Sequence, residues 1–106
     1  MGNSKILIVD DEDDVHTLTG EALTDLGYET ISARDGHEAL RLIEMHTFGA
    51  VLLDLRMSPI DGYALLLKIR EEERFAHLPV LIHTNMVMPG EAARLQGMIS
   101  DFIQKP

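Results

Sequence analysis

The sequence predicts an α/β protein built on one doubly wound, five-stranded parallel sheet, and three observations carry that prediction. Short apolar runs alternate with helix-period stretches along the whole chain. The run Ala50–Leu53 is continuously apolar, as expected of a strand covered on both faces. Four of them end, on their C-terminal side, in a polar residue: Lys5–Val9 in Asp10-Asp11, Ala50–Leu53 in Asp54, 80–83 in Thr84, and 102–104 in Lys105.

Lys5–Val9 is the first strand. Behind it, Val15, Leu18, Thr19, Ala22, Leu23 and Leu26 recur at helical spacing, and Gly27 is placed to end that helix with a left-handed residue. Glu12, Asp13 and Asp14 fall in its first turn, where the helix dipole favours negative charge. Residues 28–33 read as the second strand. Asp35, with Glu38 three residues on, has capping-box spacing and opens a helix whose inward stripe is Ala39, Leu40 and Ile43.

Ala50–Leu53 is the third strand, and residues 57–62 form a loop in which Asp61 caps a helix burying Leu65, Leu66 and Ile69. Residues 79–84 make the fourth strand. Residues 85–97 suggest only a short, marginal helix, because Pro89 and Gly90 crowd its start. Residues 102–105 are the fifth strand. Right-handed crossovers wind this alternation into one sheet, and the flavodoxin-like order 2-1-3-4-5 uses five strands with the first and third side by side at the switch point.

The 106 residues (1–106) suit a single domain. There is no cysteine, so no disulfide or thiolate metal site, which suits a cytoplasmic setting. No apolar run approaches the ~20 residues of a membrane span. A net charge of −9 disfavours nucleic-acid binding by this segment and favours cations instead.

In an open parallel sheet, ligands bind beyond the carboxyl ends of the strands. The predicted order therefore gathers three carboxylates (Asp10, Asp11, Asp54), the Thr84 hydroxyl and the Lys105 ammonium at one edge. Those groups suit Mg²⁺ and phosphate.

The same pieces, in the same order, resemble the receiver domains of two-component response regulators over essentially the full chain. They are Ile8-Val9-Asp10-Asp11, Leu53 to Met57 through Asp61-Gly62, Thr84 on strand four, and Lys105-Pro106. The resemblance implies a phosphoacceptor module that catalyses only its own phosphorylation and dephosphorylation. Asp54 is then the nucleophile, a carboxylate that takes a phosphoryl group covalently. Asp10, Asp11, Asp54 and the backbone carbonyl of Arg56 hold Mg²⁺, and Lys105 pairs with a phosphoryl oxygen. Thr84 and Phe102 form the switch: the hydroxyl moves to the phosphoryl group and the aromatic turns into the space it leaves. The implied partners are a sensor histidine kinase or phosphotransfer protein, and an output domain or downstream protein.

The sequence departs from the family in places. Asn85 stands where a small residue is usual, and its larger side chain is expected to modulate access and slow phosphoryl turnover. Ser58-Pro59 shifts the loop proline by one position, and Met98 follows Gly97 where a glycine is common. The family's fifth helix, expected after Lys105-Pro106, is missing from this chain. That suggests truncation after strand five, with self-association through the face left bare.

Plainer readings stand beside these. Glu12, Asp13 and Asp14 read as a solvated first turn rather than ligands, and His83 as a packed strand residue. His16, His37, His46 and His77 lack partners at metal-ligand spacing and read as surface. Two other functions remain open: a pseudo-receiver acting as a constitutive interaction domain, and a phosphohydrolase that uses Asp11 within Asp11-Glu12-Asp13-Asp14-Val15.

Overall fold

The computed structural model describes residues 4–54, 62–84, 90, 95 and 97–104. They build a parallel five-stranded sheet in the order β2-β1-β3-β4-β5. In chain order the elements are β1 (Lys5–Val9), α1 (Asp13–Asp25), β2 (Glu29–Ala33), α2 (Gly36–Met45), β3 (Ala50–Leu53), α3 (Gly62–Glu71), a 3-10 turn over Glu73–Phe75, β4 (Val80–Thr84) and β5 (Asp101–Gln104). The expected class and strand order hold. The marginal helix over 85–97, the 57–62 loop and the Asp61 cap lie outside the described residues, apart from Gly90, Leu95, Gly97 and Gly62.

Strand ends differ from expectation by one residue, for identifiable reasons. Gly27, at φ 97°, closes α1 in a Schellman motif. Its N–H donates to the Thr24 carbonyl, and the Tyr28 N–H to that of Leu23, both at 3.0 Å. Tyr28 is thereby engaged by the helix end, and β2 starts at Glu29. At β4 the Pro79 carbonyl accepts from Val51 N–H (2.9 Å), but proline has no N–H to return, so the strand begins at Val80.

Alternation within each strand divides the core between two faces. Leu7, Val9, Val51, Leu53, Val80 and Ile82 meet Ala39 and Ile43 of α2 and Leu65, Leu66 and Ile69 of α3. Ile6, Ile8 and Leu52 face the other way, packed by Val15 and Leu23 of α1. Because both of their faces are covered, β1 and β3 read as unbroken apolar runs.

Helix α1 sits differently from its apolar stripe. Its inward side runs through His16, Thr19, Gly20 and Leu23, while Leu18 and Leu26 are 59 % and 74 % exposed. At roughly 100° per residue, Leu18, Ala22 and Leu26 form a flank rotated away from the sheet. Gly20 lies on the inward side near β2, where a Cβ would stand 3.6 Å from Thr30 Oγ1, an ordinary contact distance. The cap on α2 is as expected: Asp35 accepts from the Glu38 N–H at 2.8 Å. The Glu38 carboxylate reaches back to the Arg34 N–H, one residue before the cap, also at 2.8 Å.

Arg70, at the end of α3, ties two other stretches to the helix through three backbone carbonyls. Its Nε–H donates to Met98 O (2.8 Å), and an Nη1–H to Phe75 O (2.9 Å) and more loosely to Ala76 O. Burial lowers its pKa, yet a guanidinium keeps its proton at any working pH. Arg70→Met is expected to lower stability by about 2 kcal/mol, because it strips charged donors from carbonyls fixed before β4 and β5. Arg70→Lys should recover little of this, as one ammonium cannot reproduce the fork. Urea unfolding midpoints of the two variants check the prediction; midpoints equal to wild type would assign the contact no energetic role.

Among the described residues, no helix is long and apolar enough to cross a membrane.

Candidate functional site

The register of β1 and β3 assembles the site. Val9 pairs with Leu53, so the next residues, Asp10 and Asp54, leave the sheet side by side. Asp54 N–H donates to Val9 O at 3.0 Å, and Asp10 N–H donates to Ala33 O of β2 at 3.1 Å. Both aspartates are buried, with Asp10 1 % and Asp54 7 % exposed.

Beyond β1 the chain must turn into α1 within three residues. Asp10 Oδ1 accepts from the Glu12 N–H at 3.0 Å, which folds the turn back over the strand end. Glu12 then takes the N-cap position with extended backbone and no side-chain cap bond. One carboxylate oxygen each from Asp10, Asp11, Glu12 and Asp54 lies within 4.8 Å of the other three. Two of these carboxylates are buried against the sheet and two are exposed at the mouth.

Four hard oxygen donors suit a hard divalent cation. Magnesium retains several waters and binds few carboxylates, so a half-open cluster fits it better than a closed cage would. The like charges repel one another until a cation joins them, which gives the cluster a reason to bind one.

Arg34, directly after β2, donates from Nε to Asp13 Oδ1 at the start of α1 at 2.7 Å. That hydrogen bond, and then the guanidinium charge, hold the Asp13 carboxyl below its ordinary value of 3.8. The folded pKa is depressed, so the pair's contribution is complete above the ordinary value and is lost as pH falls through the lowered one. The pair is exposed, so the effect is small. Arg34→Gln should therefore unfold at slightly lower urea than wild type at neutral pH, with the two curves converging in acid. A gap that persists in acid would show that Arg34 acts through something other than this pair.

Of the residues expected at the site, the structure brings Asp10, Asp11 and Asp54 together. The backbone of Thr84 ends β4, paired with Gln104, and Phe102 pairs with Ile82 in β5. Both strands lie on the β3 side of the sheet. Arg56, Asn85 and Lys105 fall outside the described residues.

Glu12 is exposed, as a solvated acid should be, and a carboxylate oxygen of it lies within 4.8 Å of those of Asp10, Asp11 and Asp54. One expectation needs correction. His16 is not a surface residue but 8 % exposed, with Nε2 2.7 Å from the Asp10 backbone oxygen. The tilt of α1 carries it inward. His37 and His77 are exposed and His46 is half-buried, while His83 is packed within β4, as a strand residue should be.

Comparison with known proteins gives a consistent result. The family model for the response regulator receiver domain matches residues 6–106. The N-terminal domain of a response regulator receiver protein from Methanoculleus marisnigri JR1 is 34 % identical, with a TM-score of 0.92 over 96 % of this chain and 84 % of that one. The receiver domain of the sensor histidine kinase PA1611 from Pseudomonas aeruginosa PAO1, solved with a magnesium ion coordinated in its active-site cleft, is 31 % identical. Its TM-score is 0.87 over 100 % of this chain and 87 % of that one. A probable transcriptional regulator, ycf27, of Cyanophora paradoxa is 32 % identical over 100 % of this chain but only 44 % of its own length. The chain thus spans less than half the length of the first curated relatives it matches.

Proposed function

The chain belongs to the response regulator receiver domain family, and we propose that it is a phosphoacceptor taking a phosphoryl group onto Asp54 in a Mg²⁺-dependent reaction. The donor is a phosphohistidine on a sensor histidine kinase or phosphotransfer protein. The observation that carries this reading is the convergence of Asp10, Asp11, Glu12 and Asp54 oxygens at the carboxyl ends of β1 and β3.

Asp54 suits the nucleophile's place because it is buried at the strand end, held by its own N–H to Val9 O. Its carboxylate oxygen forms the new bond to phosphorus as the donor's N–P bond breaks, the electron pair leaving with the imidazole nitrogen. The transition state gains little from covalent help, so positioning and charge neutralisation dominate. Asp10 and Asp11, with Asp54 and the Arg56 carbonyl, would hold Mg²⁺, and Glu12 adds a carboxylate at the mouth. A cation held by these residues would supply charge neutralisation for the oxygens of the transferring group.

Lys105 supplies a second positive charge to the phosphoryl oxygens. Thr84 and Phe102 read the phosphorylated state through a hydroxyl contact and a ring rotation, altering the surface toward the fourth helix and β5 that an output domain or downstream protein reads. Asn85, beside Thr84, slows hydrolysis by restricting water. The protein acts on itself alone, as a cytoplasmic signalling module. Family membership runs against the phosphohydrolase reading, and the carboxylate cluster against the interaction-only one.

Intact-mass measurement after incubation with acetyl phosphate tests the proposal. One phosphoryl adduct that requires Mg²⁺ is expected. A folded protein that gains none would overturn it.

A further inference from the structure

We infer that His16 is a positioning residue that fixes the backbone of Asp10, and with it the metal-binding end of β1, through a hydrogen bond from Nε2–H to the Asp10 carbonyl. The inference rests on reading the carboxylate cluster as the Mg²⁺ site.

The local hydrogen bonding supports this assignment. The Asp10 N–H is taken by Ala33 O, the last residue of β2, so its carbonyl points toward the same side, where the strand has run out. A buried carbonyl at this position needs another donor. His16 supplies it from the second turn of α1, at 2.7 Å.

The geometry also fixes the tautomer. A carbonyl oxygen only accepts, so the proton of this contact sits on Nε2. Nδ1 is buried and has no hydrogen-bond partner among the described residues, as suits the nitrogen without a proton. Asp10 is then held at three points: its N–H by β2, its Oδ1 by the Glu12 N–H, and its carbonyl by His16. Only the last of these reaches into the body of a helix. It therefore sets how far α1 stands from the strand end, and where Asp11 and Glu12 fall.

Mg²⁺ affinity by calorimetry, measured on wild type, His16→Leu and His16→Gln, tests this. Leucine fills the space without a donor, and glutamine offers an amide N–H at the same reach. His16→Leu is expected to weaken Mg²⁺ binding about tenfold, the scale of losing an outer-shell partner, and His16→Gln to restore most of that loss. Lower melting temperature in His16→Leu with unchanged Mg²⁺ affinity would reduce His16 to a packing residue and overturn the inference alone. A wild type that binds no Mg²⁺ would remove this role and the phosphoacceptor reading together. Should His16→Leu fail to fold, ¹⁵N NMR of the wild-type ring decides. A proton on Nε2 and a resonance that shifts as Mg²⁺ is added are expected. The opposite tautomer would overturn the inference.

Discussion

Asp54→Asn is expected to abolish phosphoryl incorporation from acetyl phosphate while leaving the protein folded. The amide is nearly isosteric with the carboxylate it replaces in a site only 7 % exposed, so packing against β1 is preserved. The chemistry is not. An amide oxygen is a poor nucleophile toward phosphorus, and the change also removes one of the four carboxylates of the cluster. The two losses act on the same step, so the rate should fall on the order of 10³-fold or more, to background by mass spectrometry. Far-UV circular dichroism and a melting temperature no lower than wild type would establish that folding is not the cause. An adduct that survives in Asp54→Asn would place the phosphoryl group elsewhere. Asp11 is then the next residue to replace, since it is exposed at the mouth of the same cluster.

How much of this was legible in the sequence depends on the range of the interaction. The central strands β1 and β3 were legible because each is a continuous apolar run with helices packed on both of its sides, so neither side could be polar. Asp10, Asp11 and Asp54 were legible because a strand order that puts the first and third strands together fixes the residues after them. The α2 cap was legible from Asp35 and Glu38 alone, being local. What escaped was set by tertiary geometry. The stripe on α1 suggested that Leu18 and Leu26 face inward, but the helix is seated on its His16–Gly20 flank, and no period within the helix encodes that rotation. His16 was misjudged for the same reason: a histidine without sequence neighbours of metal-ligand type looks like surface until a strand-end carbonyl is placed beside it. The Arg70 contacts cross up to 28 residues of chain, and the Arg34–Asp13 pair spans 21, with no local signal to announce either.

Asp10→Asn is expected to raise the stability of the metal-free protein and to remove most of its response to Mg²⁺. Asp10 is 1 % exposed, and three other carboxylates bring an oxygen within 4.8 Å of its own. Two unit charges at such a distance repel by ~3–4 kcal/mol at an effective dielectric of about 20. Two of the partners are exposed, so water and counterions reduce this to about 1–2 kcal/mol for the buried member. Asparagine retains the oxygen that accepts from the Glu12 N–H, so the turn into α1 stays closed. For a domain near this size, each kcal/mol moves the melting temperature by roughly 4–8 °C, which predicts a rise on the order of 5–10 °C without metal. With Mg²⁺ the order should reverse. At about a hundred times its dissociation constant, the cation stabilises wild type by ~2.7 kcal/mol, and the variant, short of a buried ligand, by little. Thermal melts of both proteins with EDTA and with saturating Mg²⁺ give all four values. The crossing is the informative result, because a mere packing change would shift both curves the same way. If the variant melts below wild type even in EDTA, the carboxylates are not strained against one another; their hydrogen bonds already compensate the charge, and metal binding must draw its energy from the cation's own ligation.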